Sequence, residues 1–125
     1  MAETYSEKIV TFADAIQAFE GWFTGSRSWR NKNPGNLRRS SRATGKDKDG
    51  FCIFPNVETG FNALCHQIQI ACDGRSTVYK PTDTILQFLE KYAPSSDGNY
   101  PEIYAKFTVK KTGFPLSTEM SELLK

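Results

Sequence analysis

The residue in this chain best placed to do chemistry is Glu20. It stands between Phe19 and Gly21, with Trp22, Phe23 and Trp29 close by in sequence. Apolar rings next to a carboxylate disfavour its charged form, and so does the negative end of a helix dipole. Both effects push the carboxyl towards the protonated state that a general acid needs near neutral pH. Downstream, Asn31, Asn33, Asn36 and Asn99 offer amides, Tyr92 a hydroxyl and Trp29 an indole ring. Turn chemistry accounts for asparagines in such a run, and core packing accounts for a Trp. A ligand role beside Glu20 is the competing explanation.

Other chemistries fit less well. Cys52, Cys65 and Cys72 make an odd set without a C-x-x-C pair. Although His66 adjoins Cys65, neighbouring helical residues point in different directions, so buried thiols are expected rather than zinc or a disulfide framework. The run from Asp47 to Glu58 has the length of a calcium loop. Phe51 and Cys52 occupy its fifth and sixth positions, where a ligand and a sharply turning Gly belong, and this excludes it. No cofactor and no metal are expected.

Elements must position these residues. Ile9, Phe12, Ile16 and Phe19 recur at helical spacing, predicting an amphipathic helix over 9–20 that stops at Gly21. The stretch 24–50 is irregular, with a turn at Asn31-Lys32-Asn33-Pro34-Gly35-Asn36. Leu37–Arg39 and Phe51–Phe54 are expected as short strands, with Ser40–Gly50 as their hairpin loop. Further helices are expected over 58–73, over 82–91 and from Pro101 to Gly113, followed by a short one capped by Ser117. The expectation is a mainly helical α+β domain with one small β-hairpin, a single domain spanning 1–125.

The charge is uneven. The formal net charge is +2, but residues 27–48 hold eight basic residues and one acid, a net +7. Such a segment suits a polyanionic partner or is a solvated loop. Nucleic acid is not expected, because no helix-turn-helix, RRM or zinc signature accompanies the charge. No apolar run is long enough to span a bilayer, and the first residues lack a signal-peptide pattern. Synthesis in the cytoplasm is therefore expected.

Four short motifs then follow in order. They are Glu20-Gly21; Arg30-Asn31-Lys32-Asn33-Pro34-Gly35-Asn36-Leu37-Arg38; Phe51 to Gly60 in the pattern F-x-x-F-P-x-x-x-x-G; and Tyr92-Ala93-Pro94. In order and spacing the chain resembles small phage and bacterial lysozyme-like proteins, the lytic transglycosylases and peptidoglycan hydrolases, from about Phe12 to Gly113. The resemblance implies a lysozyme-like fold acting on the peptidoglycan glycan strand, with Glu20 as the catalytic acid. It implies that Asn33, Pro34, Gly35 and Asn36 line the cleft, and that Tyr92 orients the Glu or the sugar. Trp29, Asn31, Asn33, Asn36, Tyr92 and Asn99 supply the amides, hydroxyl and ring that a sugar cleft uses.

No second carboxylate declares itself among Asp47, Asp49, Glu58, Asp97 and Glu102. This favours a single-Glu transglycosylase over a hydrolase, which normally uses two acids. A non-catalytic glycan-binding phage module is the alternative. Such a protein would reach the wall through a holin, within a virion alongside tail proteins, or by a secretion apparatus.

Overall fold

The computed structural model describes residues 4–125. Helix α1 (Glu7–Phe19) starts where the Ser6 hydroxyl accepts from the N–H of Ile9 at 3.1 Å. The same hydroxyl donates to the Leu123 carbonyl, which ties the start of the helix to the C-terminal segment. Ile9, Phe12, Ala13 and Ile16 form a fully buried stripe. The helix ends at Glu20, followed by Gly21 in the left-handed region at φ 80°. An L side chain there would be strained, so the stop directly after Glu20 is built into the backbone.

A short helix α2 (Arg27–Arg30) follows, capped by Ser26. Strands β1 (Gly45–Lys46) and β2 (Cys52–Ile53) form an antiparallel pair with Gly45 opposite Ile53 and Lys46 opposite Cys52. Helix α3 (Val57–Asp73) is capped by Asn56, α4 (Ile85–Tyr92) by a Thr84–Gln87 capping box, and α5 (Pro101–Thr112) opens on Pro101. Short 3-10 turns occupy Ser95–Asp97 and Met120–Leu124. Helix α1 packs against α5, α3 and the C-terminal turn, and α4 packs against α5. Phe12 meets Phe88 edge to face at 5.5 Å, and Phe19 stacks on Tyr104 at 3.9 Å. The architecture is mainly helical α+β with one two-stranded sheet. No helix among the described residues is long and apolar enough to cross a membrane.

The expected strand at Leu37–Arg39 lies instead at Gly45–Lys46. Leu37 contributes one ladder-like bond, its carbonyl accepting from Cys52 N at 2.8 Å. The hairpin register is set closer to the tip. There the Asp47 carboxylate accepts from the N–H groups of Asp49 and Phe51, both at 2.9 Å, and fixes a tight turn. Helix α2 lies inside the stretch expected to be irregular, because Ser26 supplies a cap that composition alone masks. Helix α4 starts after Thr84 rather than Thr82, since Asp83 is engaged with the N–H of Lys80 and with Lys91. The last helix is a 3-10 turn beginning at Met120, with Glu119 rather than Ser117 before it.

One close approach locks the turn that carries the asparagines. A Cβ on Gly60 would lie 2.0 Å from the Lys32 carbonyl oxygen and 3.0 Å from Pro34 Cδ. The first turn of α3 therefore lies directly against the Lys32–Pro34 backbone, and only Gly allows it. Gly60→Ala is expected to destabilise the fold by about 3 kcal/mol, since the obstruction is backbone. A lowered urea midpoint at unchanged slope would check this.

Candidate active site

Glu20 caps the C-terminal end of α1 and is half-buried. Its Oε1 accepts from Asn36 Nδ2 at 3.1 Å, and its Oε2 accepts from the Tyr104 hydroxyl at 2.8 Å. Burial raises the carboxyl above its ordinary value, and the hydrogen bonds from Asn36 and Tyr104 oppose but do not cancel that rise. The group is thus biased towards the neutral acid, while two donors stand ready to stabilise the anion it becomes.

The asparagine turn divides its labour. Asn33 is fully buried: its Nδ2 donates to the carbonyls of Leu37 and Cys52, and its Oδ1 accepts from Leu37 N. Every polar atom of that side chain serves the backbone, so Asn33 positions the cleft rather than lining it. Asn31 is also buried. Its Nδ2 donates to Asp47 Oδ2 at 2.9 Å, and its carbonyl accepts from Phe54 N. Asn36 is the member that reaches Glu20, from a left-handed backbone at φ 49° that Asn tolerates. Its Oδ1 is buried with no partner among the described residues.

Tyr92 does not bond Glu20. Its hydroxyl donates to the Gly35 carbonyl and so braces the turn one residue before Asn36. Burial, with Glu20 close by, raises this phenol well above its usual range, so it remains a donor. The hydroxyl on the acid belongs to Tyr104, on the helix expected from Pro101 to Gly113 but not singled out by the sequence. The available signal was a Tyr at a core position, where a buried hydroxyl needs a partner. Its phenol too is raised well above the usual range by burial, with Glu20 adding to the effect.

A cleft of about 800 Å³ runs past these groups. Glu20, Gly35, Asn36, Leu37 and Arg38 form part of its wall, and Tyr92, Ala93, Pro94 and Asn99 form another part. Phe51 lines it as well, so each of the four motifs contributes at least one residue to one cavity. Trp29 does not contribute to the lining and is 44% exposed, while Phe23 is 64% exposed. The rings nearest the chemistry are instead those of Tyr92 and Tyr104, with Phe19 stacked behind Tyr104.

No family model, curated protein or solved structure matches this chain. The site must then be read from its own geometry. Asp49 also lines the cleft, but it is paired with Arg27 at 2.9 Å. Asp47 accepts from Asn31 and from the Phe51 and Asp49 backbone, with Arg27 adding attraction, and these hold it below the usual carboxylate range. Glu58 lies exposed in the first turn of α3, and Glu102 lines a separate hollow of about 270 Å³. The Asp97 side chain lies outside the described ones. Of the carboxyls lining the cleft, Asp49 is engaged by Arg27, and Glu20 is raised by burial towards the acid form.

Tyr104→Phe separates the two donors' effects. It keeps the stack on Phe19 and removes one bond that favours the anion, so Glu20 is expected to titrate at higher pH. A pH titration of the Glu20 carboxyl, followed by NMR, should show its midpoint moved up relative to the parent.

Proposed function

We propose that this protein cleaves the glycan strand of peptidoglycan at the β-1,4 bond between MurNAc and GlcNAc, with Glu20 as the only acid–base group. The observation that carries the reading is the half-buried Glu20, raised in pKa and held between Asn36 and Tyr104 at the wall of an open cleft. Protonated Glu20 donates to the glycosidic oxygen as the C1–O bond breaks and positive charge develops at the sugar's anomeric carbon. The resulting carboxylate, stabilised by the Asn36 and Tyr104 donors, then takes the proton of the sugar's own C6 hydroxyl. That oxygen closes on C1 to give a 1,6-anhydro ring, and Glu20 is reprotonated for the next turnover.

The route needs no second carboxylate. This agrees with Asp49 being bound to Arg27 and Asp47 being saturated by donors. The lysozyme-like resemblance of the motifs supports the substrate class, and all four motifs contribute residues to the same cavity. On this reading the target is the bacterial wall, reached through a holin, a virion or a secretion apparatus.

The test is product analysis after digestion of purified sacculi. Fragments ending in 1,6-anhydro sugar are expected. Reducing ends would replace the single-acid route by hydrolysis, and intact strands would leave only a glycan-binding module.

A further inference from the structure

The cleft carries charge that the Glu20 chemistry does not use. Arg27, Arg38, Arg39 and Lys91 all contribute to its lining. Lys91 is committed to Asp83 at 2.7 Å and Arg27 to Asp49 at 2.9 Å. The other two are not neutralised in this way. Arg38 lies over the Phe51 ring, 4.1 Å from its centroid, and donates through Nη1 to the Asp49 carbonyl at 3.2 Å. Stacking and that bond fix its plane while leaving other N–H groups unspent. Arg39 is exposed and makes no ion pair or side-chain hydrogen bond among the described residues.

These cations do not tune the acid. Burial and the bonds from Asn36 and Tyr104 shape the Glu20 carboxyl, with no contribution from an arginine. A pre-fixed guanidinium next to an uncommitted one, both facing the same groove, is a receptor for carboxylates. The surrounding segment carries a net +7, so the local field favours an anionic ligand over a neutral one.

We infer that Arg38 and Arg39 form an anion subsite for carboxylates carried on the glycan strand, which makes the preferred substrate an acidic, substituted glycan rather than a neutral one such as chitin. The inference rests on the proposed function and names the substrate class of that site. Two sources share this chemistry: the acidic residues of the peptide stem, and the lactyl carboxylate that is freed when the stem is removed.

Co-sedimentation with purified sacculi tests it, using Glu20→Gln protein so that binding is read without turnover. Arg39→Glu is expected to weaken binding about tenfold or more, with Arg38→Gln similar and Arg39→Lys largely restored. Lys110→Glu makes the same change in net charge on the exposed end of α5, outside the cleft lining, and is expected to bind as the parent does. Carbodiimide amidation of the sacculi should abolish the difference between the parent and the Arg39→Glu variant. Intact sacculi read the stem carboxylates, since the lactyl group is there in amide linkage. A difference seen on intact sacculi and lost on amidase-stripped strands assigns the stem, and one seen on stripped strands alone assigns the freed lactyl carboxylate. Unchanged binding by Arg39→Glu on both intact sacculi and stripped strands, or equal weakening by Lys110→Glu, would overturn the subsite. Clearing of sacculi by protein with Glu20 intact is scored separately. Binding that depends on Arg39 without clearing sinks the cleavage reading alone, and clearing with a KM indifferent to Arg39 sinks the subsite alone.

Discussion

Glu20→Gln is expected to abolish wall clearing, with a fall of about a thousandfold, while making the protein more stable at neutral pH. The rate loss follows from removing the only group in the proposed mechanism that donates and then accepts a proton, a role ordinarily worth about 10²–10⁴. The stability gain follows from linkage. Burial raises the folded-state pKa of Glu20, so the folded protein holds a proton that the unfolded chain releases. Below the unfolded value, near 4.5, both states are protonated and Glu20 takes nothing from stability. As pH rises from there through the folded value, ionising the half-buried group costs free energy, and above it that loss is constant. Glutamine carries no charge to desolvate. The melting temperature of Glu20→Gln should therefore exceed that of the parent at pH 7, and the gap should close near pH 3. The same raised pKa predicts that the parent's rate falls on the alkaline side, where the acid form is lost. A variant that cleared walls at the parental rate would remove Glu20 from the mechanism. One that lost activity while melting lower at pH 7 would mean that Glu20 holds the fold together.

The joint outcome matters because a structural carboxylate behaves the other way. Asp83, bound by Lys91 and by the N–H of Lys80, is held below the usual carboxylate range and adds stability when ionised. Neutralising it should weaken the fold at pH 7. An acid desolvated beside a cleft and one paired beside a helix are thus told apart by the sign of one melting shift, before any substrate is added.

Much of this arrangement is legible in the sequence, and what is not has identifiable causes. The helix at 57–73 follows its apolar spacing closely, because one face is buried and Gly74 ends it, while that at 101–112 is legible from its ends, Pro101 and Gly113, since its buried face takes Thr108 and leaves Ile103 exposed. Glu20 is legible because a helix end, a Gly and several aromatics coincide there. Of the aromatics named for its desolvation, Phe19 does pack beside it, against Tyr104, but Phe23 and Trp29 face solvent, and Tyr104, 84 residues away, supplies the hydroxyl. Long-range partners of this kind leave no local pattern. The roles within the asparagine run are equally hidden. Composition offers equivalent amides, and only the fold decides that Asn33 turns inward while Asn36 reaches the acid. The arginine pair shows the same limit. The excess charge is plain in the chain, but stacking on Phe51 is what converts Arg38 from a solvated residue into a fixed one.

Asn33→Ala is expected to produce the largest loss of stability among these substitutions, about 4 kcal/mol. The Asn33 side chain is fully buried and holds three backbone groups: the carbonyls of Leu37 and Cys52 and the N–H of Leu37. Truncation leaves two buried acceptors and a buried donor without those partners, at about 1–3 kcal/mol for each unsatisfied group. Partial relaxation or an entering water offsets some of this, which sets the estimate towards the low end of the sum. The damage should also reach the site. Asn36 N donates to the Asn33 carbonyl at 3.0 Å, and the Asn36 side chain holds Glu20. A slackened turn therefore loses the left-handed backbone that aims the amide. Urea titration should show a lower midpoint at unchanged slope. Below that midpoint the still-folded variant should clear walls more slowly than the parent, with its alkaline pH limb moved up because Asn36 no longer favours the carboxylate. Asn33→Asp is the sharper companion. It nearly preserves size and one acceptor but cannot donate to either carbonyl, and it brings a charge into a fully buried position. It should be at least as destabilising as Asn33→Ala at pH 7 and should recover towards it as the pH falls and the carboxyl takes up a proton. If Asn33→Ala melts like the parent, the turn is held by Pro34 and the Gly60 contact instead, and the buried amide is only filling space.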